Sequence, residues 1–130
     1  MARPASKHPT TLELEILKVL WRRSPLPVRE VREGLAETRR LAYNSVMTVM
    51  NIMVDKGYLR REKEGASYLY RPTVTRRSTT RRMLRDLVDR VFDGSAATVM
   101  VNLLESSDLD KDEMARLREL LRSKPKEDKS

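Results

Sequence analysis

At 130 residues, with a formal net charge of +8, no cysteine and 5% aromatic residues, the chain has room for one domain or a small domain with an appended module. The missing cysteines exclude a disulfide scaffold, thiolate metal sites and cysteine catalysis, and they fit a reducing, cytoplasmic setting. No apolar run approaches a bilayer span, and the opening MARPASKHP lacks the apolar core of a signal peptide, so no membrane insertion is expected.

The charge is uneven. Residues 1–82 hold 18 Lys and Arg against 8 Asp and Glu, or +10, while residues 83–130 hold 9 against 11, or −2. A basic front half suits a polyanion such as nucleic acid, and the C-terminal third needs a different task.

Residues 1–9 read as a disordered tail. Thr10 stands three before Glu13, a capping-box spacing that opens a helix. Leu14, Leu17, Leu20 and Trp21 give it one apolar face, and Ser24-Pro25-Leu26-Pro27 ends it near Arg23. A second short helix is expected from Val28 to Glu37, with Val31 and Leu35 inward. A third spans Tyr43 to Lys56. Val46, Val49, Met50 and Met53 form its buried face, and Gly57 is its stop. Two β-forming runs, from Tyr58 and from Ser67, surround a turn with Gly65 and read as a hairpin that Pro72 ends.

Three short helices and a hairpin make a winged helix-turn-helix, with a recognition helix for the major groove and a wing for the backbone or minor groove. The third helix carries no Lys or Arg before its last residue. Its outward face offers Tyr43, Asn44, Ser45, Met47, Thr48 and Asn51 as base-contacting residues. Asn pairs with adenine, and Thr or Met methyls meet the thymine methyl, so the set leans toward A·T steps. Arg39, Arg40, Lys56, Arg60, Arg61 and Lys63 flank it and are assigned to phosphates.

The rest is helical. Met83, Leu84, Leu87, Val88, Val91 and Phe92 make one stripe, which Gly94 breaks. Ser95 caps a segment with Val99, Met100, Leu103 and Leu104. Asp110 opens a last helix, with Glu113 three residues on, a Leu109–Met114 staple, and Leu117, Leu120 and Leu121 on its apolar face. These stripes are assigned to a dimer interface, with burial against the N-terminal core of the same chain as the alternative. The chain is thus expected to be mainly α with a small β-hairpin. A winged-helix DNA-binding domain at 10–74 precedes a helical dimerisation module at 75–123 and a flexible tail at 124–130.

No metal or cofactor is expected. His8 is the single histidine and reads as a bystander in the tail, and the acidic run from Asp108 to Glu113 reads as helix capping. No nucleophile–base pair stands out, so the chain does not read as an enzyme.

The segments TTLELEILKVLW, LAYNSVMTVMNIMVDKGYLRREKEGASYLYRP and VFDGSAATVMVNLLESSDLDKDEMARLRELL resemble the penicillinase-repressor (BlaI/MecI/CopY) family across residues 10–122. The resemblance implies a homodimeric repressor of double-stranded operator dyads, often built around TACA/TGTA. It also implies release by a membrane sensor metalloprotease that triggers cleavage in the C-terminal module, in a β-lactam-type or other stress response. The matching bond is Asn102-Leu103, where the family's best-known members carry Phe after the Asn. The copper-responsive branch uses a Cys-rich tail, which this chain lacks. Two other readings stand beside it: a winged-helix protein-interaction module, and a repressor that responds to a small molecule without proteolysis.

Overall fold

The computed structural model describes residues 8–123, and residues 1–7 and 124–130 of the two expected tails lie outside it. Six helices and one hairpin follow in order. They are α1 (Thr11–Arg22), α2 (Val28–Leu35), α3 (Tyr43–Lys56), β1 (Leu59–Glu64), β2 (Ser67–Pro72), α4 (Arg76–Val91), α5 (Ala96–Ser106) and α6 (Lys111–Ser123). Compactness divides the chain after Asp86, inside α4, whereas the sequence puts the boundary after residue 74.

Local chemistry explains the first unit. The Thr10 hydroxyl accepts the Glu13 N–H at 3.1 Å, and a Glu13 carboxylate oxygen accepts the Thr10 N–H at 2.9 Å, so the capping box forms. The segment Ser24–Pro27 does more than stop α1. Leu26 and Tyr70 exchange both backbone hydrogen bonds, at 3.0 and 2.9 Å, which adds a bridge to the hairpin. Helix α2 ends at Leu35, two residues short of the expected Glu37, where the Ala36 N–H turns to the Glu33 carbonyl at 3.2 Å. Helix α3 has the expected bounds. Its C-cap, Gly57, sits at φ +88°, a left-handed conformation that side chains with a Cβ resist.

The core joins Ile16, Leu17 and Leu20 of α1, Val28, Val31 and Leu35 of α2, and Val46, Met50 and Met53 of α3 with Leu26, Tyr58, Leu59 and Tyr70. Val49 packs against it only in part, and in α1 Ile16, Leu17 and Leu20 are enclosed while Leu14 is half-buried. Gly34 lets α1 and α2 approach closely, since a Cβ there would stand 2.8 Å from a Val19 methyl. A polar tie crosses the same region. Glu13 is 3% exposed, and its second carboxylate oxygen lies 2.8 Å from the Lys56 ammonium.

His8 and Pro9, expected in a tail, are part of this unit. Pro9 is buried, and His8 Nε2 lies 3.1 Å from an Asp86 carboxylate oxygen. Helix α4 begins seven residues before the first apolar residue of its expected stripe. The Thr75 hydroxyl accepts the Ser78 N–H, and Thr79 is the buried residue of the polar first turns.

In the second unit, Ser95 caps α5 by accepting the Thr98 N–H at 3.1 Å. Asp110 and Glu113 exchange side-chain-to-backbone bonds at 2.8 and 3.2 Å, a second capping box at the start of α6. Val99 is buried. Leu87, Val91, Met100, Leu103, Leu104, Leu120 and Leu121 are exposed, with Leu121 at 61%, while Val88, Phe92 and Leu117 are half-buried. Leu84, in the first unit, is also exposed. Among the described residues, no helix is long and apolar enough to cross a membrane, and no group of three acidic or histidine side chains is placed to hold a metal ion.

Candidate nucleic-acid interface

Helix α3 presents a polar face because its apolar residues are spent on the core. Tyr43, Asn44, Ser45 and Thr48 are exposed, and none is charged. Its N-cap, Ala42, supplies no capping side chain, and its first turn holds no acidic residue. Its first N–H groups and the positive end of its dipole are therefore left for an anion. Helices α1, α5 and α6, by contrast, each have a side chain on their first turn.

Two of the expected base contacts are placed differently. Met47 packs partly against the core, since the helix turns that position toward the hairpin. The Asn51 amide oxygen already accepts two bonds at 2.8 Å, one from the Arg61 guanidinium and one from the Tyr70 hydroxyl. Bidentate pairing with adenine needs that oxygen as well as the amide nitrogen, so it would have to displace both donors.

The expected phosphate contacts also separate. Arg40, Arg60 and Lys63 are exposed and make no ion pair among the described residues. Arg39 lies 2.7 Å from the Glu15 carboxylate, and Lys56 is held by Glu13 with its side chain only 13% exposed. Arg60 and Arg61 do not share a face, because successive strand residues point to opposite sides. The hairpin register pairs Arg61 with Tyr70 and Lys63 with Tyr68, which puts these four on the side that meets α3. The Arg61 guanidinium carbon also sits 4.6 Å from the centre of the Tyr68 ring, within cation–π range. Arg60 lies on the other side, with Glu62 and Arg71, which pair at 3.3 Å.

Two concavities border this surface. One, about 400 Å³, runs between the start of α2, α3 and the hairpin. Arg29, Tyr43, Met47, Tyr68 and Tyr70 are among its lining. The other, about 310 Å³, is lined by Arg32, Glu33, Ala36, Arg39, Arg40 and Leu41, with Arg32 Nε bonded to the Leu41 carbonyl at 2.7 Å. A neutral helix face between cationic margins can lie against a groove of duplex DNA while the margins meet phosphates. The Tyr43, Asn51–Arg61 and Tyr68 arrangement was missing from the sequence reading. Only the strand register, with its period of two, could have signalled it.

A family model described as penicillinase repressor matches residues 9–123. The chain is 27% identical over 109 residues to the penicillinase repressor of Bacillus licheniformis, covering 84% of this chain and 85% of that protein. It is 30% identical over 96 residues to the transcriptional regulator BlaI of Mycobacterium tuberculosis, covering 72% of this chain and 70% of that protein. A solution structure of the DNA binding domain of the repressor BlaI matches with a TM-score of 0.49 and 27% identity, over 56% of this chain and 90% of that chain.

Proposed function

The chain belongs to the penicillinase repressor family of transcriptional regulators, which are not enzymes, and we propose that it is a homodimeric repressor reading an A/T-containing inverted repeat with α3. The observation that carries this reading is the face of Tyr43, Asn44, Ser45 and Thr48, exposed and free of charge, with Arg40 and Arg61 on its margins. An uncharged amide and hydroxyl face suits base edges, whereas a merely solvated face would be expected to carry Lys and Glu. The proposed base contacts are Tyr43, Asn44, Ser45 and Thr48. The proposed phosphate contacts are Arg40, Arg60, Arg61 and Lys63.

The dimer assignment rests on the apolar residues left exposed on α4, α5 and α6. Such patches mark interaction surfaces, and a two-fold axis matches a two-fold operator. Release by proteolysis at Asn102-Leu103 fits this layout. The bond lies in α5 between two exposed residues, and cutting it separates Leu103, Leu104 and α6 from the rest of the stripe. Asn102 is tied to the Thr98 carbonyl at 2.9 Å inside the helix, so a sensor metalloprotease must act on a locally opened α5.

Replacing Asn44 with Ala is expected to weaken binding to a selected operator by about 1–3 kcal/mol while leaving binding to random duplex unchanged. Fluorescence anisotropy on both duplexes checks this. Equal losses on the two would remove Asn44 from the base-reading set.

A further inference from the structure

We infer that Asn51 is a positioning residue, which fixes Arg61 and the wing against the recognition helix, and that it does not read bases. The inference rests on the DNA-binding reading above and assigns that site's internal mechanics. Asn51 stands near the C-terminal end of α3, and its amide oxygen receives Arg61 from β1 and Tyr70 from β2, both at 2.8 Å. Tyr70 is 2% exposed and anchored on both sides, through its ring in the core and its backbone in the Leu26 bridge. Its hydroxyl therefore holds Asn51 from a rigid base. Asn51 in turn holds the guanidinium, and the Tyr68 ring supports that group at 4.6 Å.

The consequence is pre-organisation. A free arginine side chain loses much rotamer freedom when it grips a phosphate. Here Arg61 is already held in the unbound protein, and it keeps donors beyond the one given to Asn51. The hairpin is tied to the core through Leu59, Tyr70 and the Leu26 bridge, and the four hydrogen-bonded or stacked side chains Asn51, Arg61, Tyr68 and Tyr70 add a link from it to the outer part of α3. An asparagine on a recognition helix looks like an adenine reader in sequence. In this fold, its oxygen is engaged by the protein itself.

The test uses the full chain and its Asn51→Ala, Tyr70→Phe and Arg61→Ala variants, with the double variant of Asn51 and Arg61. Two probes are used: a random-sequence 30-base-pair duplex pool, and a duplex selected from it by the wild-type protein. Asn51→Ala is expected to weaken both duplexes by the same factor, roughly threefold to tenfold, and to lower the salt slope by about 1 per protomer, as Arg61→Ala does. In the Arg61→Ala background, Asn51→Ala adds no further loss. Tyr70→Phe changes the same slope in the same direction, although its buried hydroxyl is out of reach of DNA. A merely structural role would move none of these salt slopes. The inference is overturned if Asn51→Ala weakens only the selected duplex, if its loss adds fully to that of Arg61→Ala, or if Tyr70→Phe leaves the slope unchanged. A wild-type chain that binds neither duplex overturns the DNA-binding reading, and this inference with it.

Discussion

A chain ending at Asn102 is expected to sediment as a monomer at micromolar concentration and to bind its operator about 100- to 10,000-fold more weakly than the full chain. The physical reason is the placement of the apolar residues. Leu103, Leu104, Leu120 and Leu121 are all about half exposed or more in the single chain, and the cut removes them together. The core built from α1, α2, α3 and the hairpin contains none of them, so each winged helix stays folded and keeps its own weak affinity. What is lost is the linkage that makes binding of the second half-site intramolecular. Sedimentation velocity and operator titration on the shortened chain check both parts. A shortened chain that remains dimeric would leave proteolytic release without a mechanism.

Replacing Glu13 with Ala is expected to cost about 3–5 kcal/mol of stability, because it strands the Lys56 ammonium where only 13% of the side chain meets solvent. The loss includes the capping box at the start of α1. Replacing Glu13 with Gln and Lys56 with Met together should cost far less, since neither charge is then left alone. Urea denaturation reads the difference as a change in midpoint at constant slope. A Glu13→Ala loss under about 1 kcal/mol would show that water reaches the pair. The same geometry changes the expected role of Lys56. Lys56→Met should leave the salt dependence of DNA binding unaltered, because the ammonium neutralises Glu13 and not a phosphate.

Local signals made much of the fold legible. Thr10 with Glu13, Asp110 with Glu113, and Gly57 act within a few residues, and each sets a helix end where the sequence puts it. The buried face of α3 follows from its period, with Val49 only partly enclosed. Features that depend on distant partners were hidden. Lys56 finds Glu13 across 43 residues, Asn51 finds Tyr70 across 19, and Leu26 joins the hairpin from a stretch that reads only as a helix stop. The start of α4 is not marked by periodicity, because Arg76–Arg82 has no apolar stripe. Arg60 and Arg61 are neighbours in sequence and look alike, yet strand alternation sends them to opposite sides.

The same contrast holds for the site. The exposure of Tyr43, Asn44, Ser45 and Thr48 follows once the buried face is known, because a helix has a fixed period. Which polar residues are free to bind is a different matter. It depends on what the neighbouring elements already hold, and Asn51, Arg39 and Lys56 are all held.

Selection of bound fragments from a random duplex pool by the full-length chain tests the central claim most directly. The expected result is enrichment of an inverted repeat, with two A/T-containing half-sites centred about one helical turn apart or a multiple of it. Enrichment of a single unpaired half-site, or no sequence preference above the random pool, would contradict it.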